Sequence, residues 1–191
     1  METIIDRTIE AAKLLIDQEY YEEAAAKLQD CLKNKPSPDQ RAAALCDLGY
    51  CYQQLHWLED AIRIYNEYLT DYPDDNDVRL FLATAYGSLK WTDESILELR
   101  KILASDPTDV LSYHELGLCF KDKGWIKEAI KVMHKAKDQA HIHGTDAEIE
   151  LVKSSLSSLE DDLTSIEGEK LKDAFLLALL IAALRKKKGK A

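Results

Sequence analysis

Three tryptophans, Trp57, Trp91 and Trp125, stand 34 residues apart along the chain, and Pro73 and Pro107 keep the same interval. One text recurs around each of them: LGYCYQQLHWLEDAI, LATAYGSLKWTDESI and LGLCFKDKGWIKEAI. A fixed period of this size marks a repeat architecture, whose units cannot bury an apolar face alone and must stack on their neighbours. Within a copy, apolar residues fall at helical spacing. Leu45, Leu48, Tyr52 and Leu55 form one run, and Leu58, Ile62, Tyr65 and Leu69 form the next. Each unit is therefore expected to be a helix–turn–helix, and the fold class all-α. Small residues recur at Gly49, Ala83 and Gly117, and again at Ala61, Ser95 and Ala129. These are the places where the two helices of one hairpin must approach closely.

These copies resemble the tetratricopeptide repeat family, a helix–turn–helix of 34 residues with a W-x2-L-G-x2-Y…A-x3-F…P pattern. Residues 42–75 supply Leu45, Leu48, Gly49, Tyr52, Ala61, Tyr65 and Pro73 at those places. Residues 76–109 supply Arg79, Leu82, Ala83, Tyr86, Ser95, Leu99 and Pro107. In 110–143 they are Tyr113, Leu116, Gly117, Phe120, Ala129 and Met133, with His141 replacing the proline. A weaker copy spans 5–38, carried by Ala11, Ala12, Leu15, Ala24, Leu28 and Pro36. The resemblance implies an array of about four repeats over 1–143, wound as a right-handed superhelical solenoid. It also implies a non-enzymatic adaptor that holds a peptide or helix segment in a concave groove lined by the first helix of each repeat. Carried over column by column, the groove residues are Cys46, Tyr50, Gln53 and Gln54, then Leu80, Thr84, Gly87 and Ser88. Repeat four adds Leu111, His114, Leu118, Lys121 and Asp122, and repeat one Ile9, Lys13 and Ile16. These columns lack the paired Lys, Arg and Asn with which some members clamp an acidic C-terminus, so an apolar or mixed segment is the expected ligand.

A three-residue insertion separates the first two copies. Its Ser37-Pro38-Asp39-Gln40 reads as an N-cap serine, a proline at the first helical position and a capping-box glutamine, so it should lengthen the following helix. After Gly144, Thr145 and Glu148 form another capping box and open a helix over 144–167. Ile149, Val152, Leu156, Leu159, Leu163 and Ile166 give it a short heptad seam. That seam predicts a capping helix on the last repeat, with dimerisation as the alternative. Gly168 is expected to interrupt it, leaving an apolar helix with a basic end over 168–191.

Residues 174–184 read AFLLALLIAAL without a polar side chain, followed by Arg185, Lys186, Lys187 and Lys188. Eleven helical residues reach only about 16 Å, against about 30 Å of bilayer hydrocarbon, so a transmembrane span is not expected. A helix apolar all round needs cover. For Phe175, Leu176, Leu179 and Leu180, the first expectation is packing on the repeats or on a second subunit through 146–184. Contact with a membrane surface is the second, with the four basic residues meeting anionic lipid.

The net charge of −10 excludes nonspecific nucleic-acid binding as the main role of the array. Five cations and no acid lie in 185–191, which leaves −15 on the first 184 residues. The four cysteines form no CxxC pair and are expected to be reduced core fillers, in keeping with a cytoplasmic protein. His134, His141 and His143 lack zinc spacing, and the run Asp71, Asp74, Asp75 and Asp77 lacks the glycine and terminal Glu of a calcium loop. No nucleophile elbow or phosphate loop occurs, so neither catalysis nor a cofactor is expected. The column Tyr20, Trp57, Trp91 and Trp125 is open to two readings: an exposed binding stripe, or a packing ladder at the hairpin turns, which its repetition favours.

Overall fold

The computed structural model describes residues 3–188, with side chains described through residue 177. All regular structure among the described residues is helical: α1 Ile4–Asp17, α2 Tyr21–Lys33, α3 Pro38–Gln54, α4 Leu58–Asp71, α5 Asn76–Ser88, α6 Thr92–Ser105, α7 Val110–Asp122, α8 Ile126–His143 and α9 Asp146–Lys188. The first eight pair as four hairpins, and each later hairpin lays its first helix on the second helix of the one before. The architecture is an all-α solenoid of hairpins.

One local device makes all four turns. In repeat two the His56 amide donates to the Gln53 carbonyl at 3.1 Å and the Trp57 amide to the Tyr52 carbonyl at 2.8 Å. His56 sits in the left-handed region with φ of 59°. This is a Schellman motif, and its usual apolar contact is made by the Trp57 ring on Tyr52, 5.6 Å between centroids. Trp91 repeats the contact on Tyr86 at 5.9 Å and Trp125 on Phe120 at 5.8 Å. The tryptophan column is thus neither a rung-to-rung ladder nor a free stripe: each ring seals its own turn and stays 45–50% exposed. Only repeat four places glycine, Gly124, at the left-handed position; Glu19, His56 and Lys90 occupy it elsewhere. A side chain there costs energy that glycine avoids. His56→Gly is therefore expected to stabilise the chain by about 0.5–1 kcal/mol. Urea denaturation reads this as a higher midpoint, and a lower midpoint would contradict it.

Helix lengths follow from punctuation. The insertion makes α3 17 residues long against 13 for α5 and α7, with Ser37 and Gln40 closing the expected capping box. Gln40 also donates to Thr3 and Asp6 at 3.0 and 2.6 Å, tying the start of α3 to the start of α1. Prolines stand just beyond α4 and α6, where they end helices. His141 in that column imposes no such stop, and α8 runs 18 residues to Gly144.

The core is continuous but differently filled in each repeat. Tyr65, fully buried, lies across Gly49, whereas Leu99 and Met133 occupy its column opposite Ala83 and Gly117. In repeat three an ion pair is buried: Arg79 meets Glu98 at 2.8 Å, with side chains 13% and 10% exposed. Cys31, Cys51 and Cys119 are buried, Cys46 half-buried, and all four are free thiols.

α9 closes the array. Thr145 and Glu148 form its capping box. Val152, Leu156 and Leu159 of the seam are buried in the second half of the core, and Ile149 packs at its edge. The first four seam residues are therefore covered within a single chain, whereas Ile166 stays exposed. The opposite face presents Glu150, Lys153, Ser154, Ser157 and Asp161 to solvent. A polar outer face is what terminates a solenoid. Gly168 does not interrupt this helix, contrary to expectation: α9 is one element of 43 residues. A lone helical glycine costs only about 1 kcal/mol, and no proline follows it.

Candidate partner-binding surface

The first helices α1, α3, α5, α7 and α9 touch one another in series, while the second helices α2, α4, α6 and α8 do not touch each other among the described residues. The first-helix side is accordingly the tighter, inner wall. On it, the half-buried Tyr50 ring stands edge-on to Tyr21 at 6.2 Å and tilted to Phe81 at 6.5 Å. One turn further on, Gln53 Nε2 donates to Thr84 Oγ1 at 3.0 Å, and Tyr65 donates its hydroxyl to Gln53 Oε1 at 3.0 Å. This polar link holds repeats two and three in register. Gln54 is exposed beside it.

Between α5 and α7 the wall opens into a cleft of about 400 Å³ lined by Thr84, Gly87, Ser88, Lys90, Glu115, Leu118, Cys119, Lys121 and Asp122. Its charges are partnered. Lys90 meets Asp122 at 2.8 Å, and Lys121 meets Asp162 of α9 at 2.9 Å. Leu118 supplies a half-buried apolar patch beside these pairs.

Of the expected groove residues, Thr84, Gly87, Ser88, Leu118, Lys121 and Asp122 line the cleft, Gln53 bonds to Thr84, and Tyr50 and Gln54 lie on the adjoining α3, whereas Cys46, Leu80 and His114 are taken up by packing. Cys46 packs at the edge of the first core, where burial pushes its thiol up to about 11. Leu80 packs against the second core. His114 is 5% exposed, because α9 lies over it: its Nε2 is 2.9 Å from Ser155 Oγ, and its Nδ1 is 3.2 Å from Glu115. Ser155, His114 and Glu115 follow the order of a hydrolytic triad. They sit inside continuous helices, however, whose own amides are already bonded to carbonyls one turn back. Burial also pushes the Cys51 thiol up, to about 12, and raises that of Cys119. At neutral pH these groups are thiols, not nucleophilic thiolates.

Phe175 and Leu176 do not pack on the repeats; they are 65% and 61% exposed. The last described contact of α9 with the repeats, Lys127 with Glu167, lies before them. Leu179, Leu180, Arg185, Lys186, Lys187 and Lys188 lie outside the residues whose side chains are described. Among the described residues, no helix is long and apolar enough to cross a membrane.

Phe81 was not among the expected groove residues. It stands against both Tyr50 and Tyr65, in a column otherwise filled by Asp47 and Glu115. The irregularity of that column, an aromatic between two acids, was the available signal.

Residues 110–139 match the family model described as tetratricopeptide repeat. No curated protein matches the chain in sequence. Among solved structures, MamA from position 41 onward, from Desulfovibrio magneticus, is 17% identical with a TM-score of 0.65, covering 88% of this chain and 96% of its own. The Sgt2 TPR domain from Aspergillus fumigatus is 19% identical with a TM-score of 0.60, covering 69% and 83%. A tetratricopeptide repeat protein from Parabacteroides merdae is 16% identical with a TM-score of 0.68, covering 83% and 60%. Such identities carry the fold alone. Residues 110–139 thus match a tetratricopeptide repeat, and the array as a whole shares its fold with solved tetratricopeptide-repeat structures.

Proposed function

We propose that the protein is a non-enzymatic adaptor that docks a mixed apolar and polar peptide segment along the inner wall of α3, α5 and α7. The carrying observation is the continuity of that wall. Tyr50 and Phe81 form an aromatic platform at one end, and the cleft beside Leu118 opens at the other. A rigid aromatic next to a small cleft is the composition of an energetic centre in an interface, where a few residues dominate affinity. The cleft's own salt bridges give it polar rims without a net demand for an anion. Cys46, Leu80 and His114 act by packing, so variants at those positions would read folding instead of binding.

Peptides selected from a displayed random library on the full chain provide the probe. The Tyr50→Ala, Leu118→Asp double variant is expected to weaken the selected peptides at least about tenfold, since each anchor is worth more than about 1 kcal/mol. Arg63→Ala, at an exposed site on α4, is the control and leaves binding unchanged. Equal capture by the double variant would remove the groove from the proposal.

A further inference from the structure

We propose that the inner wall selects an extended basic segment, with two cationic side chains about five or six positions apart and an apolar one between them. Asp47 and Glu115 are the residues that read the two cations. The inference rests on the groove reading above and names the chemistry of its occupant.

The charges of the wall are one-sided once its ion pairs are drawn. Every lysine and arginine on α3, α5 and α7 already has a carboxylate: Arg41 meets Glu67 and Asp71, Arg79 meets Glu98, and Lys121 meets Asp162. No lysine or arginine pairs with Asp47 or Glu115 among the described residues. Asp47 is half-buried on α3, and its Oδ2 is occluded and accepts no hydrogen bond from any described residue. Burial pushes its carboxyl up, against the opposing charge of Lys13 on α1. A desolvated carboxylate without a donor raises the energy of the free protein, and a cation that reaches it relieves this. Glu115 on α7 lines the cleft, its side chain 30% exposed, and touches the His114 ring at 3.2 Å.

Position sets the spacing. Asp47, Phe81 and Glu115 stand 34 residues apart in one column, on α3, α5 and α7, which touch in series. Packed helices lie about 8–10 Å apart, so the two carboxylates stand about 16–20 Å apart along the wall with Phe81 midway. An extended chain rises about 3.3 Å per residue, which makes that distance about five or six residues. The middle of such a segment falls on Phe81 and on the Tyr50 ring 6.5 Å from it, a platform for an apolar side chain. Tyr50 also stands one turn beyond Asp47 on the same helix face, where its ring can receive the stem or charge of the residue that Asp47 holds. An acidic segment would be repelled at both ends.

The test is selection from a displayed random peptide library on the full chain, on Asp47→Asn, Glu115→Gln, and on Tyr50→Ala, Leu118→Asp. Wild type is expected to enrich lysine or arginine on both sides of an apolar residue at the stated spacing. The carboxamide variant should keep the apolar residue and lose the basic preference, with a thermal melt equal to wild type or higher. By fluorescence anisotropy, each carboxamide replacement should weaken the best selected peptide about fivefold, and both together at least about tenfold. Exchanging the two basic residues of that peptide for glutamine should weaken wild-type binding by a similar factor, a readout that leaves the protein intact. Peptides that depend on Tyr50 and Leu118 yet carry no excess of basic residues overturn this inference and leave the groove standing. So do basic peptides that bind the carboxamide variant equally well. Peptides indifferent to Tyr50 and Leu118, or a library that yields no binder, overturn both.

Discussion

Replacing Glu98 by alanine is expected to destabilise the array by about 3–5 kcal/mol, the cost of removing one partner from a buried ion pair. Glu98 is 8% exposed and accepts from Arg79 at 2.8 Å and from Lys101 at 2.6 Å. Arg79 retains its bond to the Pro73 carbonyl, but its charge loses the carboxylate that compensates burial. Lys101 is half exposed, so Lys101→Ala should cost less than about 1 kcal/mol. The repeat itself supplies the decisive control. Repeat two holds Leu45 and Ile64 in the columns of Arg79 and Glu98, and repeat four holds Tyr113 and Val132. The double variant Arg79→Leu, Glu98→Ile transplants the apolar pair of repeat two. It is expected to fall within about 1 kcal/mol of the wild type or above it, because a packed apolar pair avoids the desolvation of two charges. Urea denaturation of the four proteins reads the coupling. If Glu98→Ala alone were neutral, the ion pair would have no structural weight.

Gly49→Ala is the second large effect, expected at about 1–3 kcal/mol of destabilisation from overpacking. An added Cβ would stand 2.7 Å from Cδ1 of the Tyr65 ring and closer still to Cε1. That ring is fully buried and cannot move aside. The clash outweighs the helix propensity gained, about 1 kcal/mol for glycine to alanine. Gly117→Ala meets instead the terminal methyl of Met133 at 2.8 Å, the far end of a flexible side chain, and should be near neutral. Repeat three shows the solution that accepts alanine: Ala83 stands in the glycine column and Leu99 in that of Tyr65. Gly49→Ala, Tyr65→Leu should therefore recover most of the loss, less the hydrogen bond from Tyr65 to Gln53, worth about 1 kcal/mol. A double-mutant cycle should give a coupling of about 1–2 kcal/mol between the two positions. Additive losses would show that the ring is free to shift.

The array is legible in the sequence because its determinants are local and self-repeating. Comparing copies with one another aligns columns, and each column carries its own physics. Glycine or alanine stands where helices approach, proline where a helix stops, and Ser37 with Gln40 or Thr145 with Glu148 where one starts. The aromatic column was equally visible, yet its role in closing each turn required the backbone bonds of Tyr52, Tyr86 and Phe120.

What only the tertiary structure decided is which columns remain free, since that depends on the neighbour a helix receives. His114 occupies the same column as Cys46 and Leu80 and is the most deeply covered of the three, because the helix laid over it is α9 and Ser155 meets its ring. Phe81 joins the wall because Tyr50 and Tyr65 arrive from repeat two. The heptad seam stated only that α9 needs a partner; α8, four residues longer than α4 or α6 for want of a proline, provides the surface it covers. Sequence periodicity thus determines the unit and its apolar faces, while side-chain exposure is a property of stacked pairs and is settled only when the stack is built.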